Sequence, residues 1–110
     1  MTTLIYVASP YNHPSPAVRL RRYKAAVAYT AKLVAKSYYA FSPIVHCHPL
    51  ALAADLPLSI EFWWNYNLAF LNIAHIIHVL QLPGWDQSAG VAYEISYAKK
   101  HEIPIKYVNP

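Results

Sequence analysis

The chain has 110 residues, which is enough for one compact domain and leaves no room for a second. Hydrophobic residues make up 56% of it and charged residues only 13%, a balance that excludes a disordered chain and indicates a well-filled core. Nine Lys and Arg against five Asp and Glu give a net charge of +4. This charge favours an anionic ligand but is too small to indicate nucleic-acid binding.

The single cysteine and the placement of polar residues bear on the compartment. Cys47 stands alone, so the sequence predicts no disulfide and no cysteine-based zinc site, and the cytoplasm is the simplest location. We expect no signal peptide, because Pro10, Asn12 and His13 interrupt any apolar run after the first residue. The most apolar stretch, residues 62–82, contains three asparagines and two histidines, so we expect no membrane span.

Strand and helix patterns alternate along the chain. The first strand is a short apolar run that ends at Ser9-Pro10, as is typical of a strand buried on both faces. Ser15 followed by Pro16 predicts the start of a long helix. The predicted strands are residues 3–8, 39–42, 75–80 and 103–108, and the predicted helices are residues 16–36, 60–73 and 87–101. This order predicts a single α/β domain of three layers, of the Rossmann or flavodoxin type, with a four-stranded parallel sheet.

Two segments stand out from this alternation. Residues 43–58 contain three prolines and are predicted to form a loop with about one turn of helix. The helix 60–73, capped by Ser59, is apolar almost all the way round, with a polar stripe at only a few positions. In so small a domain, a helix that is apolar on both sides usually has a second partner. We therefore expect this helix to form the interface of a homodimer or a higher homo-oligomer.

The carboxyl edge of the predicted sheet is where parallel α/β proteins bind ligands. Three loops are expected to meet there: residues 9–16, 43–57 and 82–87. The third leads into a helix whose first turn contains Ser88 and Gly90, and both glycines of the chain lie in this segment, PGWDQSAG. Free N–H groups and the positive end of the helix dipole make such a turn an anion site, and Gly90 allows a ligand to approach the backbone closely. The alternative is that Asp86 or Ser88 only caps the helix.

Glu94 lies four residues after Gly90, on the same face of that helix and one turn deeper. Its neighbours are mostly apolar, and a carboxylate in this position can point back along the helix toward a bound ligand. The alternative is a surface glutamate paired with Lys99 or Lys100, but neither stands at the favourable i+4 spacing. Glu94 is therefore the leading candidate for a functional carboxylate.

Cationic and histidine side chains near the same edge are further candidates. Arg19 or Arg22, the cations nearest the first loop, is expected to contact an anionic ligand, while the rest of the basic cluster forms a solvated face. His46 and His48 flank Cys47, and in an extended segment they would share a face. A zinc site would need a third ligand that the sequence does not offer, so we expect no metal and no cofactor. We expect a contact between His46 and the ligand instead.

Aromatic residues are numerous, with sixteen in the chain, ten of them tyrosine. Most of them must serve core and interface packing, but aromatic rings also suit stacking against a nucleobase. Tyr6, Tyr11 and Trp85 lie on strand ends or loops at the ligand edge.

Three stretches of the sequence carry a family resemblance. They are IYVASPY near the start, RRYKAAVAYTAKLVAKSYYAFSPIVHCHPLA through the first helix and second strand, and PGWDQSAGVAYEISYAKKHEIPIKYV near the end. They resemble the nucleoside 2-deoxyribosyltransferase-like superfamily, and within it a small branch of uncharacterised domains of the DUF1937 type. The pattern S-x-G-x-x-x-E-I-x-Y-A is the most specific part, and the resemblance implies a sheet that commonly has a fifth strand. PGWDQSAGVAYE is also similar to the PGG-x-GT-x-x-E signature of phosphoribohydrolases, which cleave the same kind of bond.

The resemblance implies cleavage or transfer at the N-glycosidic bond of a (deoxy)nucleoside 5′-monophosphate. Glu94 matches the nucleophile, whose glycosyl ester is resolved by water or by another base. Tyr6 matches by position a tyrosine that orients the nucleophile or the sugar. Ser88 matches a phosphate-binding serine, where relatives acting on unphosphorylated nucleosides carry an acid that would repel phosphate. His75 stands where the family often has an aspartate, and Asp86 is expected to take over that role.

The sequence thus predicts a complete site for a nucleotide. The predicted catalytic residues are Glu94, Asp86 and Tyr6, the phosphate and substrate contacts are Ser88, Gly90, Ser9 and Arg19, and the base contacts are Tyr11, His46 and Trp85. The alternatives are a deoxyribosyltransferase acting on unphosphorylated nucleosides and a non-catalytic nucleotide-binding module. A single-strand nucleic-acid binder that uses the basic residues 19–24 is a weaker alternative, and neither nucleic acid nor membrane is expected as a partner.

Overall fold

The computed structural model describes residues 2–110, and within that range it alternates strands and helices. The strands are β1 (Leu4–Ala8), β2 (Tyr39–Phe41), β3 (Ile76–Leu80) and β4 (Ile105–Val108). The helices are α1 (Pro16–Ala35), α2 (Pro43–Ala54), α3 (Ile60–Leu71) and α4 (Ala89–Lys100), and a short 3-10 turn (Trp85–Gln87) precedes α4. All four predicted strands and all three predicted helices are present, with ends that differ from prediction by two residues or fewer.

The four strands form one sheet in the order β2-β1-β3-β4, and every neighbouring pair is parallel. The predicted α/β architecture with a parallel sheet is confirmed, and the described residues contain four strands rather than five. From β1 the chain winds to β2 on one side, then crosses back past β1 to β3 on the other. The direction of winding therefore reverses between β1 and β3, and such a reversal opens a crevice at the carboxyl ends of the two strands.

The central strand β1 is buried on both faces, as predicted. Ile5 and Val7 pack with Leu33 of α1 on one face of the sheet. Tyr6 and Ala8, which alternate with them, pack on the other face with residues of α3 and α4. Helices cover both faces, so the domain has the three predicted layers.

The segment after β2 differs from prediction, because residues 43–58 are not mainly loop: α2 spans Pro43–Ala54. Ser42 caps this helix by accepting a hydrogen bond from the backbone N–H of Val45 at 3.2 Å. Pro43 stands at the first helical position, where its missing N–H leaves no bond unmade. Pro49, inside the helix, costs about 3 kcal/mol of helix stability, which burial of one helix face must offset. The buried residues of α2 are Pro43, Cys47, His48 and Ala51.

The most apolar stretch of the sequence divides between α3 and β3. Leu71 of α3 is fully buried, and Trp64 and Phe70 pack against the same core. Phe62 and Tyr66, on other sides of this helix, remain 46% and 40% exposed. None of the helices formed by residues 2–110 is long and apolar enough to cross a membrane.

Candidate active site

A cavity of about 400 Å³ lies at the carboxyl edge of the sheet, over the crevice between β1 and β3. Its lining draws on all three segments that were predicted to meet there: the residues after β1, those after β2 and those after β3. The residues after β2 contribute as a helix, α2, rather than as a loop. The fourth wall, which the sequence did not predict, is α3.

The carboxyl group of Glu94 lies at the bottom of this cavity and is hydrogen-bonded to Tyr6. The Tyr6 hydroxyl donates to Glu94 Oε2 at 2.5 Å, joining β1 to α4 across 88 positions of sequence. Glu94 is 6% exposed and Tyr6 is fully buried. The alternative of a surface glutamate paired with a lysine is therefore excluded.

Burial dominates the electrostatics of this pair. It raises the pKa of Glu94 to about 8, although the hydrogen bond from Tyr6 acts in the opposite direction. The pKa of Tyr6 is raised well above its usual value by burial and then by the Glu94 charge, so the phenol keeps its proton and remains the donor. A buried carboxyl group that loses its proton near pH 8 can serve as a nucleophile or as a base, and such perturbed groups cluster at functional sites.

The first turn of α4 presents hydrogen-bond donors to the same cavity. Ser88 is the N-cap of α4, and its hydroxyl oxygen accepts from the backbone N–H of Val91 at 3.3 Å. The capping role is thus real, but it uses a lone pair of the oxygen and leaves the hydroxyl proton available to a ligand. A Cβ placed at Gly90 would meet only Ser88 Oγ, at 3.8 Å, so packing within the chain does not require glycine there.

Ser9, directly after β1, adds a polar group that the fold leaves unsatisfied. Ser9 lines the cavity and is 4% exposed, and its hydroxyl oxygen has no hydrogen-bond partner among residues 2–110. A buried polar atom without a partner costs about 1–3 kcal/mol, which a bound ligand can recover. Ser9, Ser88 and Gly90, all predicted from the sequence, are therefore brought together at one cavity.

His48 is a cavity residue that the sequence analysis did not select. Its Nδ1 lies 2.5 Å from the hydroxyl of Tyr11, and the ring of Tyr23 stacks on it with centroids 4.1 Å apart. Burial, together with the charge of Arg19, lowers the pKa of His48, and burial raises the pKa of Tyr11, so both groups are neutral near pH 7. Residues 43–58 were predicted to be a loop, and a loop gives no helical spacing from which to place His48 at the cavity.

One face of α3 supplies the flat apolar wall. Ile60, Trp63, Trp64 and Asn67 share it at i, i+3, i+4 and i+7 spacing. The Trp63 indole N–H donates to the carbonyl of Pro57 at 2.7 Å, and the Cys47 thiol donates to Asn67 Oδ1 at 3.7 Å. The lining also includes Glu61, a second carboxylate. This spacing was visible in the sequence, but the helix was assigned as a whole to an interface.

Apart from Tyr6, which is hydrogen-bonded to Glu94, the predicted catalytic and phosphate-contact residues outside the lining are Asp86 and Arg19, and His75 lies outside it as well. Asp86 is exposed on the 3-10 turn, and the Arg19 guanidinium donates to the carbonyl of His13 beside a separate surface concavity. His75 precedes β3, at the amino edge of the sheet, where its Nδ1 accepts from the backbone N–H of Leu4 at 2.9 Å. Because His75 is at the edge opposite the cavity, it does not occupy the position expected of a ligand-contacting acid.

Two predicted base contacts are also turned away from the cavity. His46 Nε2 lies 2.5 Å from the Tyr66 hydroxyl, so His46 and His48 face different partners and do not share a face. Trp85 packs against the core and against the ring of Tyr107, with centroids 5.7 Å apart. Of the three predicted base contacts, only Tyr11 lines the cavity. Across residues 2–110, no three His, Cys, Asp or Glu side chains come together closely enough to hold a metal ion.

Fold and site together define a parallel α/β domain with a ligand cavity at the point where its winding reverses. The chain belongs to the family described as Domain of unknown function (DUF1937), whose model matches residues 3–109. No curated protein matches the chain. Membership of the DUF1937 branch is thereby confirmed, and the link from that branch to the nucleoside 2-deoxyribosyltransferase-like superfamily stays a prediction.

Proposed function

We propose that this protein cleaves the N-glycosidic bond of a nucleoside or deoxynucleoside 5′-monophosphate through a covalent ester of Glu94. The observation that carries the proposal is the buried Glu94–Tyr6 pair at a cavity that also holds the donors of the α4 first turn. The resemblance of S-x-G-x-x-x-E-I-x-Y-A to the nucleoside 2-deoxyribosyltransferase-like superfamily supports the same assignment.

The proposed reaction has two displacements at the anomeric carbon. The ionised Glu94 attacks C1′, a C1′–O bond forms, and the C1′–N bond breaks with its electron pair leaving on the base, which takes a proton. Water then attacks C1′ and gives up a proton to the solvent, which balances the proton taken by the base. The ester bond breaks with its electron pair on the carboxylate, and the sugar phosphate departs. Tyr6 holds one carboxylate oxygen by hydrogen bonding, so the other is the attacking atom.

The anion-binding end of the cavity supports a phosphorylated substrate. The Ser88 hydroxyl proton, the free N–H groups of the α4 first turn and the unpartnered Ser9 hydroxyl can all donate to phosphate oxygens. Gly90 leaves room for the phosphate to approach the backbone, and the net charge of +4 favours an anion.

The α3 face supports a nucleobase as the leaving group. The indoles of Trp63 and Trp64 offer flat apolar surfaces for stacking, and the Asn67 carboxamide adds hydrogen-bonding groups. The Tyr11–His48 pair forms a neutral polar contact on the α2 side. These side chains take the place of the base contacts predicted at His46 and Trp85.

Homo-oligomer formation through α3 belongs to the same proposal. Phe62 and Tyr66 are exposed on α3, and Leu52 nearby in the sequence on α2 is 72% exposed. Burial of such side chains against a second copy gives about 25 cal/mol per Å² of apolar surface. We expect sedimentation analysis to show a dimer or larger species that Phe62→Glu dissociates, and a wild-type chain that sediments as a monomer would contradict this.

The deciding experiment is an assay of base release from a panel of nucleoside and deoxynucleoside 5′-monophosphates. The wild-type chain should release free base, and Glu94→Gln, which preserves side-chain size, should reduce release by about 10³-fold or more. Asp86→Asn is the matched control, since Asp86 is exposed and lies outside the lining. Mass spectrometry of the quenched reaction should show a sugar-phosphate adduct on Glu94. Base release that is equal in the wild type and Glu94→Gln would overturn the mechanism.

A non-catalytic nucleotide-binding module is the second candidate, and one observation favours it. Because the pKa of Glu94 is raised to about 8, the carboxyl group is mostly protonated at neutral pH in the free protein. This candidate predicts calorimetric binding of nucleotides without base release, with binding retained in Glu94→Gln. A transferase on unphosphorylated nucleosides would instead show exchange of bases with no requirement for the 5′-phosphate.

A further inference from the structure

Arg22 of α1 forms hydrogen bonds to two loops that are far apart in sequence. Its Nη1 donates to the carbonyl of Asn12, in the loop after β1, at 3.0 Å. Its Nη2 donates to the carbonyl of Pro83, in the loop after β3, at 3.3 Å. A planar guanidinium can direct donors to two carbonyls at once, which a lysine ammonium on a flexible stem does less well.

The turn at Gly84 is shaped around this guanidinium. Gly84 has a φ of +89°, a conformation that favours glycine, and a Cβ there would lie 2.7 Å from Arg22 Nη2. Arg22 therefore occupies the space that a side chain at position 84 would need. This steric fit is independent of the two hydrogen bonds, and it also shows that the Arg22 guanidinium packs closely against the loop after β3.

The two loops joined by Arg22 carry different parts of the cavity lining. Tyr11 and Asn12 follow β1, whereas Gln87 and Ser88 follow β3. The hydrogen-bonded pairing of β1 with β3 ends at Ala8 and Val79, so it does not fix the separation of the loops beyond these strands. A direct tie between the loops is therefore of consequence for the cavity.

We propose that Arg22 is a positioning residue that sets the separation of these two loops and thereby the binding of the substrate at their shared cavity. It acts through the Asn12 and Pro83 carbonyls and does not itself line the cavity. The kinetic part of this inference rests on the proposed function, whereas the structural part does not.

Arg22→Ala should raise KM for the nucleoside monophosphate about tenfold while kcat changes less than about threefold, because binding geometry is lost and the reacting pair is kept. Arg22→Lys should raise KM as well, since the charge is retained but the paired donors are not. Arg21→Ala is the matched control: it removes the same charge from an exposed neighbour on the same helix. Added ethylguanidinium should restore the KM of Arg22→Ala and leave Arg21→Ala unchanged.

A double substitution tests the contact between Arg22 and Gly84. Gly84→Ala alone should displace the guanidinium and reproduce the KM of Arg22→Ala, because its Cβ and Nη2 compete for one space. In the Arg22→Ala background that space is free and only the cost of a side chain at a φ of +89° remains, so Gly84→Ala should raise KM by a smaller factor than it does in the wild-type chain. Fully multiplicative effects on KM would contradict the proposed contact.

Hydrogen exchange of the backbone amides gives a readout that does not depend on activity. Amides of residues 11–15 and 82–88 should exchange faster in Arg22→Ala and Gly84→Ala than in the wild type or Arg21→Ala. Unchanged exchange would overturn the inference whether or not the protein is an enzyme. Faster exchange with unchanged KM would refute the role in substrate binding, and faster exchange without any base release would refute the proposed function alone.

Discussion

The two sides of the cavity differ in what they supply. The side built from β1 and α4 holds the reactive and anion-binding groups. These are the Glu94 carboxyl group, hydrogen-bonded to Tyr6, and Ser88 at the start of the helix. The side built from α2 and α3 holds mainly large aromatic and amide groups, among them Trp63 and Asn67, together with the carboxylate of Glu61. In the proposed function, chemistry and phosphate binding are therefore assigned to the first side and recognition of the base to the second.

Among the tests of this comparison, which leave Glu94→Gln base release aside, Ser88→Asp gives the largest expected effect and tests the first side. An added carboxylate facing the substrate phosphate costs several kcal/mol, so kcat/KM for nucleotides should fall by about 10²–10³-fold. Aspartate is about as good an N-cap as serine, so the free energy of unfolding should change by less than about 0.5 kcal/mol. Kinetics on matched nucleosides and nucleotides, with urea unfolding as the control for folding, measure both. A variant that still prefers the phosphorylated substrate would place the phosphate elsewhere.

The stability of Glu94→Gln as a function of pH tests the burial of the carboxyl group. Since the pKa of Glu94 is raised from 4.5 to about 8 in the folded state, the folded chain holds a proton that the unfolded chain has released between these values. The contribution of Glu94 to the free energy of unfolding of the wild type therefore falls as the pH rises from 4.5 to about 8. The free energy of unfolding of Glu94→Gln, measured in urea relative to that of the wild type, should increase by about 2–3 kcal/mol as the pH is raised from 6 to 8. A constant difference across this range would show that the carboxyl group is not desolvated.

The pH dependence of kcat/KM tests whether the same group is the nucleophile. Activity that needs ionised Glu94 should rise about 15-fold from pH 6.5 to pH 8 and level off above the raised pKa of about 8. The hydrogen bond from Tyr6 lowers the pKa of Glu94, so Tyr6→Phe should move the profile to higher pH. Tyr29→Phe is the matched control, because that hydroxyl bonds His78 away from the cavity lining. A pH profile of kcat/KM that is the same in Tyr6→Phe and the wild type would show that ionisation of the Tyr6–Glu94 pair does not control activity.

Trp63→Ala tests the second side. Loss of one stacking ring costs about 1–3 kcal/mol, so KM for nucleotides should rise about tenfold, whereas inhibition by ribose 5-phosphate, which has no base, should not change. Tyr38→Ala removes an exposed ring that is not part of the lining and serves as the control. Equal weakening of nucleotide and ribose 5-phosphate would show that Trp63 supports the cavity generally and not the base.

His46→Ala gives the smallest expected effect and sharpens the boundary of the second side. His46 pairs with Tyr66 outside the cavity lining, so kcat and KM should each change by less than about twofold. His48→Gln, two positions on, removes the bond to Tyr11 and should raise KM by a larger factor. A larger effect at His46 than at His48 would reverse the assignment of the two histidines.

Local signals made the first side of the cavity predictable from the sequence. Ser88, Gly90 and Glu94 lie within one helix start, where residue spacing fixes their relative positions, and the apolar run of β1 places Tyr6 in the sheet. The second side has a visible helical spacing on α3, but local spacing does not show whether that face packs on the cavity or on a second copy of the chain. Prolines at 43 and 49 predicted a loop. The N-cap at Ser42 and the burial of one face of α2 outweigh the cost of these prolines, and burial of that face depends on tertiary packing. His46 and Trp85 have suitable chemistry, but tertiary contacts turn them toward Tyr66 and Tyr107.

The Tyr6–Glu94 bond joins the first strand of the chain to its last helix, so the reactive pair exists only after every intervening crossover has formed. Pairings between such distant positions are late and slow steps when a chain folds. Recovery of turnover after dilution from urea should therefore lag behind recovery of helical circular dichroism. A chain cleaved between α1 and α4 would be competent only while both fragments stay associated.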